Sequence, residues 1–389
     1  MTATRSWLRP MTPRRADEEH RAATPLELFF DLCFVVAVAI AAERLHHALS
    51  DGHVLDGLPW YLLMFFAIWW AWMNFTWFAS AYDTDDGPYR VTTLVQIAGV
   101  LVFAAGIGPA FDRGDLRTVV AGYVIMRLAM VTQWLRVARS DPEHRPCALR
   151  YATGIAVLQL LWTLRLWTPD RWALVTITAL VLAELAVPIW AERVSPTTWH
   201  PRHITERYGL FTIIVLGESI LAATMAVQTA ISGGHGDLRL LVLAGAGLVI
   251  VFALWWLYFD RPVHHLLRSL PTAIIWGYGH YAVFAAVAAV GAGVQAGVDY
   301  KTHHSQLGAV AVGYAIAVPV AVFLAGIWLL HVRPDADTRG PVVVAAYPVA
   351  AVLVLLAPLT GLGIYLVCLV LVALVALAAL SPTAPPRPA

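Results

Sequence analysis

Glu27 and Asp31 stand four residues apart inside an apolar run, Thr24-Pro25-Leu26-Glu27-Leu28-Phe29-Phe30-Asp31-Leu32-Cys33-Phe34-Val35. On a helix that spacing places both carboxylates on one face, about a turn apart. An acid in hydrocarbon costs roughly 2.5 to 3.5 kcal/mol on insertion scales, so it faces protein or water. Such acids can coordinate a cation, exchange protons, or tie helices together as buried ion pairs. Arg127, in Gly122-Tyr123-Val124-Ile125-Met126-Arg127-Leu128, reads as the deepest cation, and its expected partner is Asp31, Glu218 or Glu184. Glu218 lies in Leu216-Gly217-Glu218-Ser219, where Gly217 permits close helix approach. One guanidinium against several acids leaves surplus negative charge, and surplus buried acids are protonated or face a cation or water. The expected central polar cluster is Asp31, Arg127 and Glu218, with Glu27 at its cytoplasmic mouth. Ser219, Asn74, Glu184 and His280 are its expected supporting residues.

Plainer accounts stand beside these. Thr24-Pro25-Leu26-Glu27 fits a capping box, with Thr at N-cap, Pro at N1 and Glu at N3, which alone explains Glu27. Asp31, roughly 10 Å further along at 1.5 Å per residue, has no cap to serve; its plain reading is a structural ion pair. Trp69, Trp70, Trp72 and Asn74 sit too deep for an interfacial aromatic belt, so they line a cavity or simply pack, and packing is the commoner outcome. Gln96, Gln133, Gln159, His280 and Gln295 are each explained by interhelical hydrogen bonds, and His280 stands out because an imidazole titrates near neutral pH.

The elements that must position these groups are membrane helices. Of the 389 residues, 59% are hydrophobic and 13% charged, too little charge to cover a soluble surface of this size. Mean hydropathy is +0.69. The net charge of +1 gives no reason to expect nucleic acid. Runs of about 20 apolar residues predict twelve spans at 26–48, 58–81, 90–110, 116–138, 149–167, 171–191, 207–230, 238–259, 272–296, 307–331, 341–358 and 362–380. Arginines gather on one side of this arrangement: Arg5, Arg9, Arg14, Arg15 and Arg21 ahead of the first span, Arg193 and Arg202 ahead of the seventh, Arg333 and Arg339 ahead of the eleventh. The other side holds only Arg44, Arg113, Arg117, Arg165, Arg171, Arg239 and Lys301, so both termini are expected in the cytoplasm of a bacterial cell. Glu27 and Asp31 in its apolar core argue against reading the first span as a cleaved signal.

The expected fold class is an all-α integral membrane protein of about twelve transmembrane helices in two parallel six-helix repeats. Span 2 ends in Trp77-Phe78-Ala79-Ser80-Ala81-Tyr82-Asp83 and span 8 in Trp255-Trp256-Leu257-Tyr258-Phe259-Asp260, while Glu27 and Glu206 open spans 1 and 7. Chance matches in an apolar chain remain the competing account. The expected organisation is a flexible cytoplasmic tail (1–23), halves at 24–200 and 201–380, and a proline-rich tail (381–389) unable to form a helix.

No P-loop, HExxH or GxSxG motif or dinucleotide fingerprint appears in a fitting context, so no cofactor, metal or enzymatic activity is expected. Cys33, Cys147 and Cys368 form no CxxC pair, and adjacent histidines (His46-His47, His264-His265, His303-His304) diverge by about 100° on a helix. The expected function is transport or permeation of a small solute or ion, such as a cation or proton, with the lipid bilayer as surroundings. A membrane-embedded lipid or isoprenoid-modifying enzyme is the alternative, with Asp83, Asp85, Asp86 and Arg90 as its acids and cation, although their spacing is not DDxxD. A non-catalytic sensor or assembly factor is a third.

Two stretches carry a family resemblance. Thr24 to Leu32 with Phe34-Val35, and Glu206-Arg207-Tyr208-Gly209-Leu210-Phe211-Thr212-Ile213-Ile214-Val215-Leu216-Gly217-Glu218-Ser219, resemble the two signatures of the bacterial low temperature requirement A (LtrA) family. The resemblance extends over about residues 22 to 380, and Cys33 stands where valine is expected. It implies a polytopic membrane protein and no particular biochemical activity.

Overall fold

Thr24 and Glu27 start the first helix by capping one another. The Thr24 N–H donates to Glu27 Oε2 at 2.7 Å, and the Glu27 N–H donates to Thr24 Oγ1 at 3.3 Å. Pro25 takes the first helical position, where a missing N–H costs nothing. The computed structural model describes residues 7–15, 18, 22–232 and 238–381. Its helices are α1 (Pro25–Ser50), α2 (Val54–Tyr82), α3 (Gly87–Arg113), α4 (Arg117–Ser140), α5 (Arg145–Arg165), α6 (Ala173–Glu192) and α7 (Pro201–Ser232). They continue with α8 (Leu238–Phe259), α9 (Leu270–Lys301), α10 (Ala309–Ile327), the single turn α11 (Ala336–Arg339), α12 (Pro341–Leu356) and α13 (Gly363–Leu380). Among the described residues twelve helical spans are long and apolar enough to cross a membrane, and there is no strand.

Local chemistry sets the ends. Asp86 caps α3 by accepting from the Tyr89 N–H at 2.8 Å, and Gly114 closes that helix in the left-handed conformation, φ 66°. Gly361, φ 76°, makes the turn that separates α12 from α13. Helix α10 does not end cleanly: it widens into a π turn (Trp328–Val332), tightens over Arg333–Asp335 at Pro334, and passes into α11.

Contacts divide the chain into two compact units, one of Met1–Ala37 with Ala67–Arg207, the other of Val38–Phe66 with Tyr208–Ala389. The divisions fall inside α1, α2 and α7. The sequence boundary at 200/201 lies close to the last of them, but the segment 38–66 groups with the second unit. In the first unit, α3 and α4 approach through glycines: a Cβ on Gly122 would lie 2.3 Å from the Phe103 N, and one on Gly106 2.5 Å from the Val119 N. In the second, a Cβ on Gly293 of α9 would lie 2.3 Å from the Ala315 carbonyl of α10. Small residues bring membrane helices together because lipid supplies no hydrophobic drive between them.

The expected flexible tail is held where it is described. The Arg14 N–H donates to the Ala81 carbonyl at 2.8 Å, the Gly87 N–H to the Trp7 carbonyl at 3.1 Å, and the Arg9 N–H to Asp86 Oδ2 at 2.8 Å. Met11 is fully buried. Backbone hydrogen bonds and a buried side chain are what fix a segment that has no apolar period of its own. Arg5, Arg21 and the proline-rich end from 382 onward lie outside the described residues.

Candidate functional site

The first two turns of α1 and of α7 bring four titratable side chains together. Asp31 is held by Arg207 through two nitrogens, Nε at 3.1 Å and Nη2 at 2.5 Å, and by the Trp72 indole N–H at 2.7 Å. Arg207 Nη1 lies 2.9 Å from Glu27 Oε1, and His203 Nε2 lies 3.1 Å from the same oxygen. All four ionisable groups are fully buried. Asp31 and Glu27 are one turn apart on α1; His203 and Arg207 are one turn apart on α7. Two acids thus face one fixed cation and one histidine, and a protonated His203 brings the set to zero net charge. This is a closed clamp, costly to break because the surviving partner would be an uncompensated buried charge.

Arg127 belongs to a different set. Its Nη2 donates to Glu184 Oε2 at 2.8 Å. The same carboxylate accepts from Trp70 Nε1 at 2.9 Å, the Tyr123 hydroxyl at 3.1 Å and Gln159 Nε2 at 3.2 Å. Glu184 therefore takes four hydrogen bonds, which fills the acceptor capacity of an ionised carboxylate. Asn74 donates to the Trp70 carbonyl at 2.8 Å, within α2. The tryptophans of α2 do pack, and two of them also supply indole donors to buried acids, a role the sequence reading did not give them.

Asp31 and Arg127 do not pair with one another. Asp31 pairs with Arg207, Arg127 pairs with Glu184, and Glu218 lies in the second unit. Arg207 was placed at the interfacial end of its span, yet α7 starts six residues earlier than the expected 207, so Arg207 sits in its second turn at 0% exposure. Arg127 is thus not alone in its depth. Glu218 is close to the middle of α7, nearly buried, and its carboxylate makes no hydrogen bond or ion pair among the described residues. Ser219 beside it is committed, donating to the Val287 carbonyl of α9 at 3.1 Å. A Cβ on Gly217 would meet nothing within 4 Å, so the α7 surface is open there.

His280 is fully buried, with Nδ1 2.7 Å from the Trp276 carbonyl of its own helix and not the interhelical partner expected. Tyr208 packs edge-on to its ring and Trp276 tilts over it at 4.0 Å. The acids of the loop after α2 serve the fold. Asp85 chelates Arg90 at 2.6 and 2.8 Å, Asp86 caps α3 and holds Arg136 at 2.6 Å, and Asp83 lies 3.9 Å from Arg14. Among the described residues no three His, Cys, Asp or Glu side chains converge as metal ligands do.

The chain is 26% identical over 353 residues to the uncharacterized protein RA0937 of Rhizobium meliloti (strain 1021), a match covering 84% of this chain and 80% of that one. The family model described as bacterial low temperature requirement A protein (LtrA) matches residues 22–380, nearly the whole of a chain with twelve candidate spans. The chain belongs to the bacterial low temperature requirement A (LtrA) family of polytopic membrane proteins.

Proposed function

We propose that this protein binds and passes a small cation or a proton across the bacterial cell membrane, with Glu218 as the group that receives it. The observation that carries this reading is the contrast among the buried acids. Glu27, Asp31 and Glu184 each have a cation within hydrogen-bonding reach, and Glu218 has none among the described residues. A mid-span carboxylate without a partner is protonated or holds a cation, and exchange between those states is the elementary step of transport. The α7 surface beside Gly217 is uncovered by other residues, which is consistent with access to Glu218. Asp31, Arg127 and Glu184 then act as the scaffold. The arginine asymmetry between the two faces supports cytoplasmic termini. On this reading the protein is a carrier or channel, not an enzyme, and the acids at 83, 85 and 86 are spent on loop structure.

The test is flux in liposomes of purified full-length protein, for protons and a series of monovalent cations, comparing wild type with Glu218→Gln. Flux in the wild type that is lost in a folded Glu218→Gln variant supports the reading. Equal flux in both removes Glu218 from the path, and no flux of any cation by wild type overturns the transport reading itself.

A further inference from the structure

The second unit contains a half-open groove between the end of α9, the start of α10 and the turn from α12 to α13, with a volume of about 140 Å3. Its buried floor is Leu243, Val312, Ile316 and Pro358. Its rim carries Lys301 and Tyr365, both exposed, with Tyr300 between. One helix ends here, another begins here, and two successive spans are joined here, so the mouth lies at a single face of the membrane.

The charge at that mouth is one-sided. Lys301 is the only lysine of the chain. Its ammonium lies over the Tyr300 ring at 5.8 Å and makes no ion pair among the described residues. The neighbouring acid, Asp299, is already engaged by His46 Nε2 and Ser50 Oγ, each at 2.7 Å. The helix starts at Ala309 and Gly363 both border the groove, and neither Gly308 nor Leu362 caps its helix with a side chain, which leaves N–H donors at the rim. An apolar floor beneath an unneutralised ammonium and free N–H groups matches an amphiphile with an anionic head.

We propose that this groove binds one anionic phospholipid, its phosphodiester at Lys301 and the starts of α10 and α13, and a segment of acyl chain over Leu243, Val312, Ile316 and Pro358. An apolar cavity of ~150 Å3 takes up a benzene-sized group, so the groove fits a segment of chain while the rest runs into the bilayer through the open side. Tyr300 and Tyr365 have the amphipathic character of residues at the headgroup level. This site is independent of Glu218 and of whatever the protein transports.

Native mass spectrometry of the full-length protein tests it, in micelles containing equal dioleoylphosphatidylglycerol and dioleoylphosphatidylethanolamine. The expected result is one retained lipid per chain with about a fivefold preference for phosphatidylglycerol, the scale of one lysine at a membrane surface. Lys301→Gln removes the preference and Lys301→Arg keeps it. Val310→Trp, which fills the groove from an exposed position, removes retention of both lipids. Glycerol 3-phosphate does not compete. No preference in the wild type, a preference unchanged in both Lys301→Gln and Val310→Trp, or displacement of the lipid by glycerol 3-phosphate each overturns the proposal.

Discussion

Arg207 serves two carboxylates at once, gripping Asp31 with two nitrogens and reaching Glu27 with the third at 2.9 Å. Arg127 gives Glu184 a single nitrogen, and its Nε and Nη1 make no hydrogen bond among the described residues. A lysine can replace one point contact but not a fork. Arg127→Lys keeps that single contact and should therefore cost no more than about 1 kcal/mol, the value of a typical hydrogen bond. Arg207→Lys should cost more than about 3 kcal/mol, since at least two charge-assisted bonds are lost at 1.5 kcal/mol or more each. Thermal unfolding of the purified variants in one detergent measures both; equal losses would contradict the contrast.

Asp31→Asn leaves Arg207 without its main counter-charge, and breaking a buried pair in that way costs about 3 to 5 kcal/mol. Glu218→Gln removes a charge with no partner, so its stability should stay within about 0.5 kcal/mol of wild type or rise. The two carboxylates thus separate by stability alone, before any flux is measured. A severe loss for Glu218→Gln would reveal a partner and undercut its place in the proposed path.

Asp141, in the turn between α4 and α5, sets an acid limit. Burial raises its pKa, but hydrogen bonds from the His144 ring, the His144 N–H and the Tyr82 hydroxyl outweigh that and hold it below the ordinary value. A carboxyl lowered in the folded state gives stability that is complete above its unfolded pKa, about 3.9, and drains as pH falls from there through the folded value. Unfolding temperatures of wild type and Asp141→Asn between pH 6 and 2.5 should differ above pH 4 and converge below it. A constant gap would show that the carboxylate charge is not involved.

Residues 7–15 are attached to the first unit through backbone bonds and the buried Met11. Burying a methionine side chain contributes about 1.5 to 3 kcal/mol. Met11→Asp should lower the unfolding temperature and open the segment to limited proteolysis, while substitutions at exposed Leu8 should not. Equal protease resistance in both would mean that the contact contributes nothing.

Much of the architecture could be read from hydropathy. The expected span 238–259 coincides with α8, and the capping box at Thr24 forms as its spacing suggested. The pairings could not, because a span boundary drawn from hydropathy stops at the first charges. The expected span 207–230 leaves out His203 and has Arg207 as its first residue, although their spacing of four matches that of Glu27 and Asp31 and marks them as the opposing face. The donor role of Trp70 and Trp72 is illegible for another reason. In a sequence an indole counts as apolar, and only its position beside Glu184 and Asp31 reveals the donor.

Asp31 and Arg207 are 176 residues apart in the chain. At about 5 to 20 residues per second, synthesis brings the arginine to the membrane roughly 10 to 35 s after the acid. Throughout that interval α1 holds Glu27 and Asp31 without His203 or Arg207. The helix must therefore enter the bilayer with its acids protonated, or wait beside the insertion machinery until α7 emerges. Birth order, and not only the finished fold, places a demand on these two carboxylates.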